Sequence, residues 1–206
     1  MKLITKIASV SAALVIAAAA HAQTTAAAKA TEDSGLIGKR YVSATMSYSD
    51  VHSSSWGLFD STLTFNMPVL SNVDVGASYD YSWLEGHRKI NQQVPSVYAT
   101  GYLTEGALKP FATVELGYAW DRNPGFQRDD RLVYATAAGV QWSINPSFAV
   151  TVAAGRAADF KAGDNSAYSG TIGFNVAVTK SVDLLVQGTW GEHSTGGAGL
   201  GVAYRF

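Results

Sequence analysis

The sequence predicts an all-β protein: a transmembrane, antiparallel, up-and-down β-barrel of ten strands, with eight as the alternative count and short periplasmic turns. Three observations carry this reading. Apolar residues recur at every second position through most of the chain, the period of a strand and not of a helix. The alternating segments exceed the about five or six residues of a soluble strand; they fit the about nine to eleven that a tilted strand needs to cross a bilayer. The stripe opposite the apolar one consists mainly of Gly, Ala, Ser and Thr, with few of the Lys and Glu that a water-facing surface carries.

The elements follow in order. Residues 1–22 read as a secretory signal peptide. Lys2 and Lys6 form its positive region, Ile7 to Ala20 its apolar stretch, and Ala20-His21-Ala22 its cleavage site. The apolar stretch is shorter than the roughly 20 residues of a spanning helix. Cleavage removes two lysines and takes the net charge from −1 to −3. Residues 23–38 are polar and Ala-rich and read as a flexible N-terminal segment, with the barrel domain running over 39–206.

Ten strands are expected at 39–49, 56–67, 73–84, 96–104, 110–121, 131–143, 147–157, 167–179, 182–191 and 197–206. The clearest is the eighth, where Tyr168, Ile172, Phe174, Val176 and Val178 oppose Ser169, Thr171, Gly173, Asn175 and Thr179. In the third, Val73 through Trp83 opposes Asp74, Gly76, Ser78, Asp80 and Ser82. In the fifth, Val114, Leu116, Tyr118 and Trp120 oppose Thr113, Glu115 and Gly117. The fourth is ambiguous, since Tyr98/Thr100/Tyr102 and Val97/Ala99/Leu103 each qualify as its lipid face.

The connections alternate as well. Pro68–Asn72, Glu105–Lys109, Ile144–Pro146 and Lys180-Ser181 are short, whereas Asp50–Ser55, Glu85–Pro95, Arg122–Asp130, Ala158–Asn165 and Glu192–Gly196 are mostly longer and more charged. That asymmetry matches the periplasmic and extracellular ends of an outer-membrane barrel. Aromatic residues then fall into two belts. Tyr48, Trp56, Tyr81, Trp83, Tyr118, Trp120, Tyr168 and Trp190 lie near the outer ends; Phe65, Phe111, Trp142, Phe148, Tyr204 and Phe206 lie near the periplasmic ends. Amphipathic rings favour those interfaces.

Composition excludes several alternatives. Only 15% of residues are charged, against about 25% in an average soluble domain. A nucleic-acid partner would call for a basic excess, which is missing. With no cysteine, disulfide and zinc-thiolate scaffolds are excluded.

Function then falls to the lumen. Lumen-lining candidates are Asp60, Asp80, Glu115, Asp183 and Arg205. Asp183 and Arg205 lie on neighbouring strands at the periplasmic rim and are expected to pair within about 6 Å. Asp60, Asp80 and Glu115 face inward near mid-depth. Either Arg131 and Arg156 reach them or the lumen holds water, because an unpartnered buried carboxylate is costly. By alternation Arg156 points to lipid unless a bulge turns it.

The end of the chain, Leu200-Gly201-Val202-Ala203-Tyr204-Arg205-Phe206, resembles the C-terminal assembly signal of bacterial outer-membrane proteins, with Tyr204 and Phe206 as its key positions. Lys109-Pro110-Phe111 followed by Gly117-Tyr118 resembles a segment of small porin-like outer-membrane barrels, the OmpA/OmpX-like group. The resemblance implies location in the cell outer membrane, a monomer, and the barrel-assembly machinery, outer-membrane lipid and lipopolysaccharide as partners. The implied role is non-enzymatic, structural or of limited small-solute permeation.

Two other roles have partial signals in the sequence. Asp50-Val51-His52 looks like the Asp-x-His of omptin-type proteases, but the matching Asp-x-Asp pair is missing. Glu192-His193-Ser194 is similar to lipid A deacylases, yet adjacency puts His and Ser on opposite faces of a strand, and no later Glu follows. No catalytic, cofactor or metal residue is therefore assigned; His52, His87 and His193 read as solvated loop residues. Arg88, Lys89, Arg122, Arg128, Arg131, Asp129 and Asp130 would serve a surface-adhesion role through charged loops, which are short for it.

Overall fold

The computed structural model describes residues 34–50, 57–103, 106–122, 130–160, 166–192 and 196–206, with the side chains of 88 and 89 outside the description. Residues 1–33, the expected signal peptide among them, lie outside it, as do Trp56, His52, His193, Arg128 and Asp129.

Ten strands form: β1 (Tyr41–Asp50), β2 (Gly57–Leu70), β3 (Val73–Leu84), β4 (His87–Tyr102), β5 (Leu108–Arg122), β6 (Arg131–Asn145), β7 (Phe148–Asp159), β8 (Ser166–Ala177), β9 (Val182–Gly191) and β10 (Gly196–Arg205). Each pairs antiparallel with the next, and β1 also pairs with β10, from Tyr41↔Arg205 to Ser49↔Gly197. The sheet is a closed barrel with no free edge. Closure lets the backbone N–H and C=O groups of all ten strands pair within the sheet, as hydrocarbon requires.

The wall is apolar outside and polar inside. Leu63, Val97, Leu116 and Leu200 are 55–62% exposed on its outer face, while Thr62, Asn66, Thr100, Thr113 and Thr171 are buried within. A water-soluble barrel would reverse that arrangement, so the outer face is a lipid-facing surface and the barrel spans a membrane. The aromatic belts have contact geometry. Toward the end of the longer loops, Tyr48 meets Phe59 edge-on at 5.0 Å, Phe59 stacks on Trp83 at 5.5 Å, and Tyr118 meets Trp120 at 5.6 Å. At the short-turn end, Phe206 lies 6.4 Å from Phe65 and 6.3 Å from Tyr204. The fourth strand's ambiguity resolves as well: Tyr98, Thr100 and Tyr102 point inward, and Val97 and Leu103 face lipid.

Three expectations are corrected. The first concerns Glu85–Pro95, expected to be a loop. Only Glu85 and Gly86 form the turn, with Gly86 at φ 69°, and β4 starts at His87. A polar stretch holding a proline reads as a loop in sequence. Here the β3 ladder tolerates Pro95 opposite Tyr79, and the β5 ladder is interrupted between Gln93↔Trp120 and Ser96↔Gly117, where a missing N–H does no harm.

The second correction concerns Phe111, placed above in the periplasmic belt. It points inward, buried with Ile37, Tyr102 and Ala153. Its position shares the parity of Thr113 and Glu115, and parity decides the face.

The third concerns residues 34–38, expected to belong to a flexible lead-in before the barrel. They are packed inside the barrel's lower end, with Ser34 and Ile37 fully buried.

Candidate functional site: the lumen and its N-terminal plug

Strand β5 lines the lumen along its length, and its inward residues give the order of layers. From the long-loop end they run Asp121, Ala119, Gly117, Glu115, Thr113, Phe111 and Lys109.

At the top, the Arg131 guanidinium pairs with Asp121 and lies 3.9 Å from Asp159, and Gln92 donates to Asp121. Arg131 is thus part of the lumen and not of a loop. Below it sits an apolar layer of Val94, Ala119, Ala135, Ala137 and Ala157.

The next layer holds the three acids, all on the β2–β5 side. Thr62 Oγ1 lies 3.2 Å from Asp60 and 2.5 Å from Asp80. Ser82 donates to Asp60 at 2.6 Å. Ser78 Oγ lies 3.4 Å from Asp80, 3.3 Å from Glu115 and 2.6 Å from Ser96 Oγ, and Ser96 itself donates to Glu115. Each hydroxyl carries one proton. Four hydroxyl protons therefore serve the six oxygens of Asp60, Asp80 and Glu115, and Glu115 Oε2 has no partner. No Lys, Arg or His among the described residues pairs with them. Arg131 is held at the upper rim, and Arg156 points outward, its guanidinium 5.7 Å from the Tyr168 ring centre.

Across the lumen the wall is small: Thr45, Ser47, Ser169, Gly173, Gly199 and Gly201 face in from β1, β8 and β10. The wall is close-set there, since a Cβ on Gly199 would lie 2.7 Å from Gln187 Nε2.

The lower end is closed by the chain itself. Ser34 Oγ donates to the Asn145 carbonyl at 2.8 Å, and Asn175 donates to the Ser34 carbonyl. The Gln141 side chain accepts from the backbone N–H groups of Leu36 (3.2 Å) and Ile37 (3.3 Å). Asn66 donates to the Lys39 carbonyl at 3.1 Å. Leu36 packs with Tyr41, Leu185 and Ala203, and Ile37 with Tyr102, Phe111 and Ala153. These partners belong to nearly every strand, so the segment crosses the lumen and does not merely line it. Tyr98 braces the layer above, donating to Asn66 Oδ1 at 2.9 Å, with its ring over Gly76, where a Cβ would fall 2.2 Å from it.

At the rim below, Arg205 Nε and Asp183 Oδ2 stand 2.8 Å apart, and Arg205 also donates to the Thr179 carbonyl at 3.1 Å. Tyr204 and Phe206 face outward into the lower aromatic belt. His87 is exposed beside its turn, 3.2 Å from the Glu85 carbonyl, and Asp50 and Arg122 end their strands exposed.

No protein-family model and no curated protein matches the chain. Solved structures of similar fold include the NanC porin, with 10% identity over 80% of this chain and 100% of that one, at a TM-score of 0.49. The N-terminal β-barrel domain of Pseudomonas aeruginosa OprF is 14% identical over 82% of this chain and 98% of that one, with a TM-score of 0.42. The Acinetobacter baumannii outer membrane protein Omp33 is 12% identical over 82% and 98%, with a TM-score of 0.42.

Proposed function

We propose that the barrel resides in the outer membrane and provides a narrow, cation-preferring path for small solutes, held shut at its periplasmic mouth by residues 34–38. The role is non-enzymatic. What supports it is the contrast between the middle of the lumen and its rims. At the rims the carboxylates stand beside an arginine, Asp121 and Asp159 sharing Arg131 and Asp183 facing Arg205. In the middle Asp60, Asp80 and Glu115 have hydroxyl donors alone, and too few of them. A carboxylate cluster without a fixed cation needs mobile cations, water or protons to balance it. A negative interior within a low-dielectric wall concentrates cations.

Width sets the scale. Eight strands are nearly filled by side chains and sixteen leave an open channel, so ten strands give a small conductance. The N-terminal segment narrows the path further, which makes the closed state the resting one.

Selectivity in planar bilayers tests the reading. Glu115→Lys should turn cation preference into anion preference, and Glu115→Gln should weaken it. A folded Glu115→Lys barrel with the selectivity of the parent would sink the proposal.

A further inference from the structure

The outer wall carries one charge that the lumen does not explain. On the outward faces of the strands, leaving aside residues 87–90, the charged side chains among the described residues are Asp50, Arg122 and Arg156. Asp50 and Arg122 end their strands, whereas Arg156 lies inside β7. Its backbone neighbours are Thr136 on β6 and Tyr168 on β8, both outward-facing. The guanidinium sits 5.7 Å from the Tyr168 ring centre, and its Nε is buried without a hydrogen-bond partner. Aromatic rings frame the place. Tyr134 and Phe160 pack at 5.0 Å beside Ala158, and Trp190 lies over Gly170, where a Cβ would come 2.2 Å from the indole. No carboxylate faces outward on β6, β7 or β8.

Depth is the second observation. Arg156 lies eight residues above Phe148 of the lower belt. At about 3.4 Å per residue that is about 27 Å along the strand. A tilt of roughly 40° makes it about 20 Å along the membrane normal, near the top of an apolar band about 25 Å tall. That is just beneath the headgroups of the outer leaflet, within reach of a long arginine side chain. Below Arg156 the wall is apolar, with Ala154, Val152, Val150, Ile172 and Phe174 facing lipid.

From this geometry we infer that Arg156 and Tyr168 form a binding site for a lipopolysaccharide phosphate, with the acyl chains lying along the β7–β8 wall beneath. A charge on the lipid face is unfavourable unless an anion meets it. The planar guanidinium offers a phosphate two parallel donors. The Tyr168 ring holds the guanidinium by cation–π attraction, and the Arg156 side chain is partly exposed on the outer wall. The site takes an anionic headgroup and an acyl body together, which suits a phosphorylated glycolipid. This inference rests on the orientation of the barrel and not on conduction through it.

The test uses the purified protein in neutral detergent and measures retention of lipid A by native mass spectrometry. The probes are bis-phosphorylated lipid A, its dephosphorylated form, and phosphatidylglycerol. The parent protein should retain phosphorylated lipid A about tenfold better than the dephosphorylated form, the scale of one charge-assisted hydrogen bond. Arg156→Gln should lose that preference while keeping the heat-dependent gel shift of a folded barrel. Equal retention of the two lipid A forms by the parent protein would overturn the site, with no variant needed. Equal retention of phosphatidylglycerol would overturn its assignment to lipopolysaccharide. A folded Arg156→Gln that binds like the parent would overturn the role of Arg156.

Discussion

Ile37→Ala isolates the N-terminal plug from the barrel that holds it. Ile37 is fully buried against Tyr102, Phe111 and Ala153, and it precedes β1, so it makes no ladder bond. The substitution removes the three carbons beyond Cβ. At about 0.8 kcal/mol for each buried carbon this is about 2.4 kcal/mol of lost transfer free energy. The void left behind raises the total into the about 2–5 kcal/mol range of such truncations. The loss falls on docking of the segment, since the ten-strand ladder is untouched. Each 1.4 kcal/mol is about tenfold in an equilibrium constant, so the undocked population should rise by at least about 50-fold. Single-channel recording reads this as an increased fraction of time open, at unchanged conductance and selectivity. Heat-modified gel mobility should show the barrel intact. A folded Ile37→Ala barrel whose open fraction equals the parent's would refute the idea that residues 34–38 gate the lumen.

Other perturbations follow the same logic. Gly35 abuts the Gln141 side chain, so Gly35→Cys with Gln141→Cys should cross-link the plug to β6. Oxidation should silence the channel and reduction restore it; an oxidised, cross-linked barrel that still conducts would contradict plugging at this mouth. Gly76→Ala should destabilise the barrel by displacing Tyr98, whereas Gly101→Ala, whose Cβ meets open space, should be neutral. Equal urea midpoints for the two would show that the Tyr98 brace is unimportant. Asp183→Asn removes the partner of Arg205 at the lower rim and should lower stability by about 2 kcal/mol, the scale of a hydrogen bond to a charged group. An unchanged unfolding midpoint would argue that the pair contributes nothing.

The barrel was legible because alternation is forced on any strand with lipid on one side. Residues such as Val114 and Leu116 must share a face, and Glu115 must take the other. The same parity puts Asp60 and Asp80 on the inward face, where both are buried. Phe111 shows the cost of setting parity aside, since its depth suggested the belt while its odd number placed it inside. The start of β4 was hidden because His87–Gln93 is polar apart from Ile90 and Pro95 resembles a breaker. Its inward Gln92 donates to Asp121 near the lumen's top, so the usual apolar signal is absent there.

The plug was illegible for a different reason. Ser34-Gly35-Leu36-Ile37-Gly38 is too short to show a period. What holds it in place is long-range: Asn145, Gln141 and Asn175 lie more than a hundred residues away in sequence. Only its adjacent pair of apolar residues, following a polar Ala-rich stretch, hinted that the segment has something to bury. The ion network at the upper rim was half legible. Arg131 begins a strand and so was open to either a loop or a lumen reading, until Asp121 and Asp159 were seen beside it.

The most direct measurement is a single-channel recording of the unaltered protein in a planar bilayer, under a tenfold gradient of potassium chloride. The account predicts brief, small openings from a mostly closed state, reversing near the potassium equilibrium potential. Anion-selective openings, or silence at every voltage from a barrel verified as folded, would contradict it.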